Sequence, residues 1–272
     1  WSGDRVGFPA GGSVRCNPVT SPTGCVSRLI DAADTQKLHL RRVIMVMRHG
    51  IRSTLPGQEP STATVKGGWP KWEVAPGDLT PHGAIGMRAV GQFERQWLSE
   101  NGLISSAGCP PSEKISIRSN SERRTIASAQ AFVSGFAPTC SIDITHQPEG
   151  TADPIFSPLE ADPARFDMRA IVSQLPDANK IFAQHTDMLN ALSNIVRCTT
   201  GFCDFLTAPS HIEAGSSNHE LILSGPIRDA SSIAEALMLA YLDGKPEINS
   251  FSGKRINATT LGSLSALHAA ML

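Results

Sequence analysis

The apolar and polar positions of the chain fall into blocks of different period. Val43-Ile44-Met45-Val46-Met47 is apolar without interruption, short and rich in Val, Ile and Met, and so reads as a fully buried strand. Lys114-Ile115-Ser116-Ile117-Arg118 alternates and predicts a second strand, and Cys140 to Thr145 a third. Between them the spacing turns helical. Thr80 is a candidate N-cap, Pro81 suits the first helical position, Ile85, Val90, Phe93 and Leu98 recur near helical spacing, and Asn101-Gly102 ends the segment. Another helix follows Ser121-Glu122-Arg123-Arg124-Thr125 and runs to about Phe136, carrying Ala127, Ala131 and Phe132. Strand, loop, helix, strand, helix, strand is the order of an α/β fold, a mostly parallel sheet flanked by helices.

The later part has another texture. From about Asp162 to Val196 it is helical and strand-poor, as in Ala164 to Leu175 and Lys180 to Val196. Ser224-Gly225-Pro226 opens a helix through Tyr241 with Ala234, Leu237, Met238 and Tyr241 on one face, and Asp243-Gly244-Lys245-Pro246 stops it. Thr259 to Leu272 is helical and apolar again. The expected division is therefore 1–157 for the first part of the α/β domain, with an irregular arm over 1–37, then a smaller, mainly helical inserted domain over 158–252. Residues 253–272 return toward the α/β domain. Residues 53–79, with Trp69-Pro70-Lys71-Trp72, form a long loop, and long loops inside domains are usually functional.

Composition narrows the function classes. With 24 basic and 25 acidic residues the formal net charge is -1, which gives no ground for a nucleic-acid partner or an acidic membrane surface. No apolar stretch approaches the length of a membrane span. The chain opens Trp1-Ser2-Gly3-Asp4, which reads as a mature or trimmed N-terminus. Its six cysteines show no C-x-x-C spacing and no histidine at zinc-ligand distance, so no metal site is expected; no cofactor is foreseen either. The simplest pairing is local: Cys16–Cys25, Cys109–Cys140 and Cys198–Cys203. That places the protein in an oxidising compartment, periplasmic or secreted; the alternative is six mostly buried thiols in a cytosolic protein.

The chemistry concentrates directly after the first apolar run, in Arg48-His49-Gly50-Ile51-Arg52. A histidine between two arginines at a strand end is costly unless an anion sits there, and ligand crevices of open α/β sheets lie outside the carboxyl ends of strands. The planar guanidinium suits bidentate binding of phosphate oxygens. A neutral imidazole nitrogen can attack phosphorus, and neighbouring guanidinium groups hold the pKa below its usual value near 6.5. Arg123-Arg124-Thr125, at a helix start, supports the same reading. Basic residues there oppose the helix dipole, and a bound anion reverses that penalty.

These residues resemble the signature of the histidine acid phosphatases, and their surroundings are similar to the bacterial periplasmic glucose-1-phosphatase and phytase branch. Trp69-Pro70-Lys71-Trp72, Gly77-Asp78-Leu79-Thr80, Cys109-Pro110-Pro111, Asn120 to Thr125, Asp153-Pro154-Ile155-Phe156 and Ser224-Gly225-Pro226 occur in the family's order. The resemblance implies a phosphoglycerate-mutase-like fold and hydrolysis of phosphomonoesters, either sugar phosphates such as glucose-1-phosphate or phytate, through a phosphohistidine. It implies His49 as nucleophile and Arg48, Arg52 and Arg124 as phosphate ligands, with Thr54, Asn120 and Glu220 as candidate substrate contacts. The implied partner is a small-molecule phosphomonoester, and the implied assembly a monomer or homodimer.

Two departures stand out. The family's Arg-x-Pro is replaced by Arg52-Ser53-Thr54, and the sequence holds no His-Asp dipeptide, the family's general acid. The expectation is that the chain stops before that element, so the general acid is not found in this sequence. His219-Glu220 is wrongly placed to substitute. Two other readings remain: a phosphoglycerate-mutase-type phosphotransferase using Glu94, Glu100 or Glu122 as donor, and an inactive or phosphate-binding fragment.

Overall fold

The computed structural model describes residues 40–59, 69–198, 209–216, 220–245 and 258–269, together with the backbone of short strands at 15–16, 25–26 and 63–65. In chain order the elements are β1 (Arg15–Cys16), β2 (Cys25–Val26), β3 (Ala63–Val65), α1 (Pro81–Glu100), β4 (Ile117–Arg118), α2 (Arg123–Phe136) and β5 (Ile144–Thr145). Then follow α3 (Pro158–Ala161), α4 (Met168–Val172), α5 (Ala178–Ala183), α6 (Thr186–Ile195), β6 (Val196–Cys198), β7 (His211–Ala214), β8 (Leu221–Ser224), α7 (Pro226–Leu242) and α8 (Ala258–Ala269). β4 and β5 pair in parallel across α2, while β1–β2, β3–β6 and β7–β8 are antiparallel pairs. The architecture is α/β, with two-stranded pieces of sheet among the described residues.

Local chemistry sets the helix ends. Thr80 accepts the Gly83 N–H on its side chain and caps α1, whose first residue is Pro81, and Asn101 closes the helix. α7 starts at Pro226 after Gly225, whose φ of 87° suits glycine, and ends at Asp243. Two apolar cores result among the described residues. One gathers Met87, Leu98, Phe132, Phe136 and Ala137 between α1 and α2. The other gathers Leu189, Leu192, Val196, Ile233, Ala234, Leu237 and Leu264 among α6, α7 and α8, with Trp69 and Trp72 of the long loop packed against it.

The two halves are joined where their helix caps meet. Thr80 Oγ1 donates to Asp243 Oδ1 at 2.6 Å, so the N-cap of α1 bonds the C-cap of α7. Lys245 pairs with Asp243 at 3.3 Å and lies 5.4 Å from the centre of the Trp72 ring. The long loop also contributes β3, which pairs with β6 and ties the motif's side of the molecule to the helical part.

Three sequence expectations are corrected. Val43–Met47 is not a buried strand: it joins no ladder among the described residues, Val43 packs against the α1–α2 core, and Ile44 and Val46 are 84% and 90% exposed. Apolar strands are buried on both faces only where further elements flank them, and here helices cover one side. The apolar spacing of α1 misnames its inner face, since Ile85 and Phe93 are exposed while Gly83, Met87, Gly91 and Leu98 are buried. The helices approach too closely for large side chains. A Cβ at Gly91 would run into the Phe132 carbonyl, and one at Gly135 into the Arg88 carbonyl. The strands foreseen over 114–118 and 140–145 shorten to β4 and β5, with a turn of 3₁₀-helix at Ser112–Lys114.

Cys109 and Cys140 are joined in a disulfide with Cα atoms 5.5 Å apart, linking the exits of α1 and α2. Cys16 stands opposite Cys25 in the β1–β2 register, and Cys203 lies outside the described residues.

Candidate active site

The motif is clamped onto the loop before α1. Ser53 N–H donates to the Asp78 carbonyl and Thr80 N–H to the Ile51 carbonyl, both at 2.9 Å; Gly77 N–H reaches the Thr54 carbonyl at 3.1 Å. Arg52 forms an antiparallel bridge with Leu79, and Ser53 Oγ donates to the Ala75 carbonyl at 2.6 Å. From the other side, Gly50 N–H donates to Ser128 Oγ of α2 at 3.0 Å. Only glycine fits at position 50, because a Cβ would stand 2.7 Å from the Gly83 carbonyl and 2.9 Å from Met87 Cγ. The motif is thus wedged between the first turns of two helices.

That wedge orients His49. Its Nδ1 lies 2.7 Å from the Gly50 carbonyl, which can only accept, so Nδ1 carries the hydrogen and Nε2 keeps its lone pair. Burial lowers the pKa of His49; the charges of Arg124, Arg52 and Arg48 lower it further, and the bond to Gly50 opposes them. The imidazole is neutral around pH 7. Burial outranks the guanidinium charges that the sequence singled out.

Arg124 enters from the first turn of α2, where no acidic residue offsets the helix dipole and Glu122 provides no side-chain cap. It pairs with Glu122 at 3.0 Å, and its charge acts on both His49 and Arg52. Neighbouring Arg123 turns to Asp78 and Glu149. Arg52 is 3% exposed, whereas the side chain of Arg48 is 59% exposed: one arginine is fixed and the other reaches in from solvent. Arg52 Nε and Arg124 Nε are buried donors without a hydrogen-bond partner.

The structure adds residues that sequence reasoning did not reach. Glu235 of α7 places Oε1 2.7 Å from Arg48 Nη2 and Oε2 3.0 Å from Arg52 Nη2, and Gln58 Nε2 donates to Oε2 at 2.5 Å. Burial pushes the Glu235 carboxyl up, but Arg52, His268, Arg48 and Gln58 outweigh it and hold the group below its ordinary value. His268 of α8 lies 3.6 Å from Glu235 Oε1 through Nε2, and 3.0 Å from Ser231 Oγ through Nδ1. Burial lowers its pKa; Glu235 opposes the shift, and Arg48 and Arg52 add to it. Nothing adjacent to His268 in the sequence announces these partners. A usable signal existed: Glu235 is the sole charged residue between Asp229 and Asp243, in a stretch otherwise destined for the core.

The remaining candidates sit as follows. Thr54 is buried and donates to Glu59 Oε1 at 2.8 Å. Asn120 accepts the Ser121 N–H on its side chain and the Thr125 hydroxyl on its carbonyl, which shapes the entry to α2. Glu220 closes the β7–β8 hairpin, where its carbonyl accepts from Gly215, and its described contacts stay in that turn. Among the described residues no group of His, Cys, Asp and Glu is arranged to hold a metal ion. A separate cavity of about 590 Å³ lies between α1 and the segment after α2, lined by Gln92, Arg95, Gln96 and Thr139 among others, and shares no residue with the arginine cluster.

The site of this α/β chain places an imidazole with a depressed pKa in the field of three arginines, a chemistry suited to an anion. The comparisons name the group: the chain belongs to the histidine phosphatase superfamily, branch 2, which it matches over residues 39–187. It is 31% identical over 219 residues to the glucose-1-phosphatase of Salmonella typhimurium, covering 76% of this chain and 52% of that protein. It is 28% identical over 234 residues to phytase AppA of Escherichia coli, covering 79% and 54%. The phytase from Citrobacter braakii shares the fold at a TM-score of 0.70 and 24% identity, over 85% of this chain and 60% of that one. The chain spans about half the length of the curated relatives it matches.

Proposed function

We propose that the protein is a phosphomonoester hydrolase that works through a phosphohistidine. The observation that carries this reading is the bond from His49 Nδ1 to the Gly50 carbonyl, which leaves Nε2 unprotonated beside Arg48, Arg52 and Arg124. The arginines take the non-bridging phosphate oxygens, and Nε2 attacks phosphorus as the ester P–O bond breaks. The leaving alkoxide takes a proton from solvent and departs as the alcohol; water then attacks phosphorus, gives up a proton to solvent as the P–N bond breaks, and phosphate and the histidine are released. Sugar phosphates such as glucose-1-phosphate and phytate are the substrates named by the relatives, and both belong to the class proposed here. The Cys109–Cys140 disulfide supports a periplasmic or secreted location.

A second reading is a phosphate-binding module without turnover. It is favoured by the state of Glu235, the carboxyl nearest the arginines, which is held ionised and so is a poor proton donor for a leaving alcohol. One experiment separates the two. Wild type is assayed with p-nitrophenyl phosphate under acid conditions with EDTA present, and acid-labile phosphohistidine is trapped with labelled substrate. Turnover and labelling in wild type, both absent in His49→Ala, is the expected result. Unchanged turnover in His49→Ala would sink the mechanism, and phosphate binding without turnover in wild type would establish the module.

A further inference from the structure

We propose that Glu235 determines which anions the arginine cradle accepts: its carboxylate is the resident anion, and only a doubly charged tetrahedral group displaces it. The inference rests on reading the cradle as a phosphate site. The two carboxylate oxygens already make the contacts that two phosphate oxygens would make, one on Arg48 at 2.7 Å and one on Arg52 at 3.0 Å. Glu235 comes from α7, whose Ile233, Ala234 and Leu237 are fully buried, so the helix cannot withdraw and the side chain itself must turn aside.

The structure provides a place for it to turn. His268 Nε2 is buried without a hydrogen-bond partner, 3.6 Å from Glu235 Oε1, while Ser231 engages Nδ1. A small rotation brings the carboxylate into bonding distance of Nε2 as it leaves the arginines. The groups facing Glu235 are Arg48, Arg52, Gln58 and His268; nearby Glu59 is occupied by Thr54 Oγ1 and Trp72 Nε1. A singly charged carboxylate ligand would merely replace one such contact with another and lose the rest. A dianion brings additional charge to the same guanidinium groups, whose Nη2 atoms Glu235 now holds at 2.7 and 3.0 Å.

The opposing interpretation is that Glu235 holds the arginines in position for the ligand, and the two predict opposite signs. Sulfate is the probe, because it is a dianion across the working pH range and does not itself titrate; acetate is the singly charged control. Binding is measured by calorimetry at constant ionic strength on the 272-residue chain, its Glu235→Gln and Glu235→Asp variants and Arg52→Ala. Removing a resident competitor should tighten sulfate about tenfold in Glu235→Gln and bring acetate into the measurable range, with a smaller gain in Glu235→Asp. Should Glu235→Gln fold poorly, Glu235→Asp carries the test, together with the thermal stabilisation that sulfate confers on each variant, larger than in wild type. Sulfate affinity that falls or stays level in both variants overturns the proposal. Equal sulfate binding in wild type and Arg52→Ala would instead overturn the cradle reading on which it stands.

Discussion

Replacing Thr80 with valine removes one oxygen and keeps the shape, and that oxygen serves two elements at once. It accepts the Gly83 N–H at 2.9 Å, capping α1, and donates to Asp243 Oδ1 at 2.6 Å, holding α7 against it. Losing a threonine N-cap costs about 1 kcal/mol. Losing a hydrogen bond to a buried charge costs about 1.5–3 kcal/mol. Thr80 is 2% exposed and the Asp243 side chain 7%, so water does not substitute freely; Lys245 remains at 3.3 Å and keeps the second cost in its lower range. The sum is about 2–3 kcal/mol. Urea unfolding followed by tryptophan fluorescence measures it, and Trp72 beneath Lys245 reports on the junction directly. Thr80→Ser should stay near wild type. In a double-mutant cycle with Asp243→Asn, the pair should cost less than the sum of the singles by about 1 kcal/mol or more. A Thr80→Val cost below about 1 kcal/mol, or strict additivity, would refute the claim that the caps hold the halves together.

Two further predictions concern the site. His49 and His268 are both held below the ordinary histidine value, so below it the unfolded chain binds protons that the folded chain refuses. Stability should therefore fall as pH drops through the mid-sixes toward the depressed values, and Glu235, held below 4.5, adds a further loss at more acid pH. Thermal melting from neutral to acid pH checks this, and a slope unchanged in a His49→Gln, His268→Gln double variant would contradict it. Gly83→Ala would drive a Cβ into the Ile51 carbonyl, and overpacking of this kind costs about 1–3 kcal/mol. Because Ile51 lies between His49 and Arg52, p-nitrophenyl phosphate turnover should fall further than stability alone accounts for.

Much of the helical framework was legible because helix ends are written locally. Thr80-Pro81, Gly225-Pro226 and Asp243-Gly244 each mark a boundary through the backbone geometry of a few adjacent residues. The extended segments were less legible, since a strand is a relation between distant pieces of chain. Nothing within Val43–Met47 states which neighbours will cover it. The inner face of α1 departs from its apolar spacing for a related reason: α1 and α2 close on each other at Gly91 and Gly135, where neither has room for a Cβ. At the site, Arg48, His49 and Arg52 are consecutive enough to be read together, and Arg124 betrayed itself by opposing a helix dipole. Glu235 and His268 are brought to Arg48 across separations of 187 residues and more, and only the packing of α7 and α8 makes them neighbours.

The half-covered run after Leu40 also has a colloidal consequence. Its outward side presents Ile44 and Val46 on a stretch of backbone that joins no ladder among the described residues. Such an edge is a template onto which another extended segment can add, and β-branched side chains at alternate positions favour that addition. Self-association should consequently begin by strand addition at this edge while the helices are still intact. Lysine at position 44 or 46 would raise solubility without touching the arginine cradle.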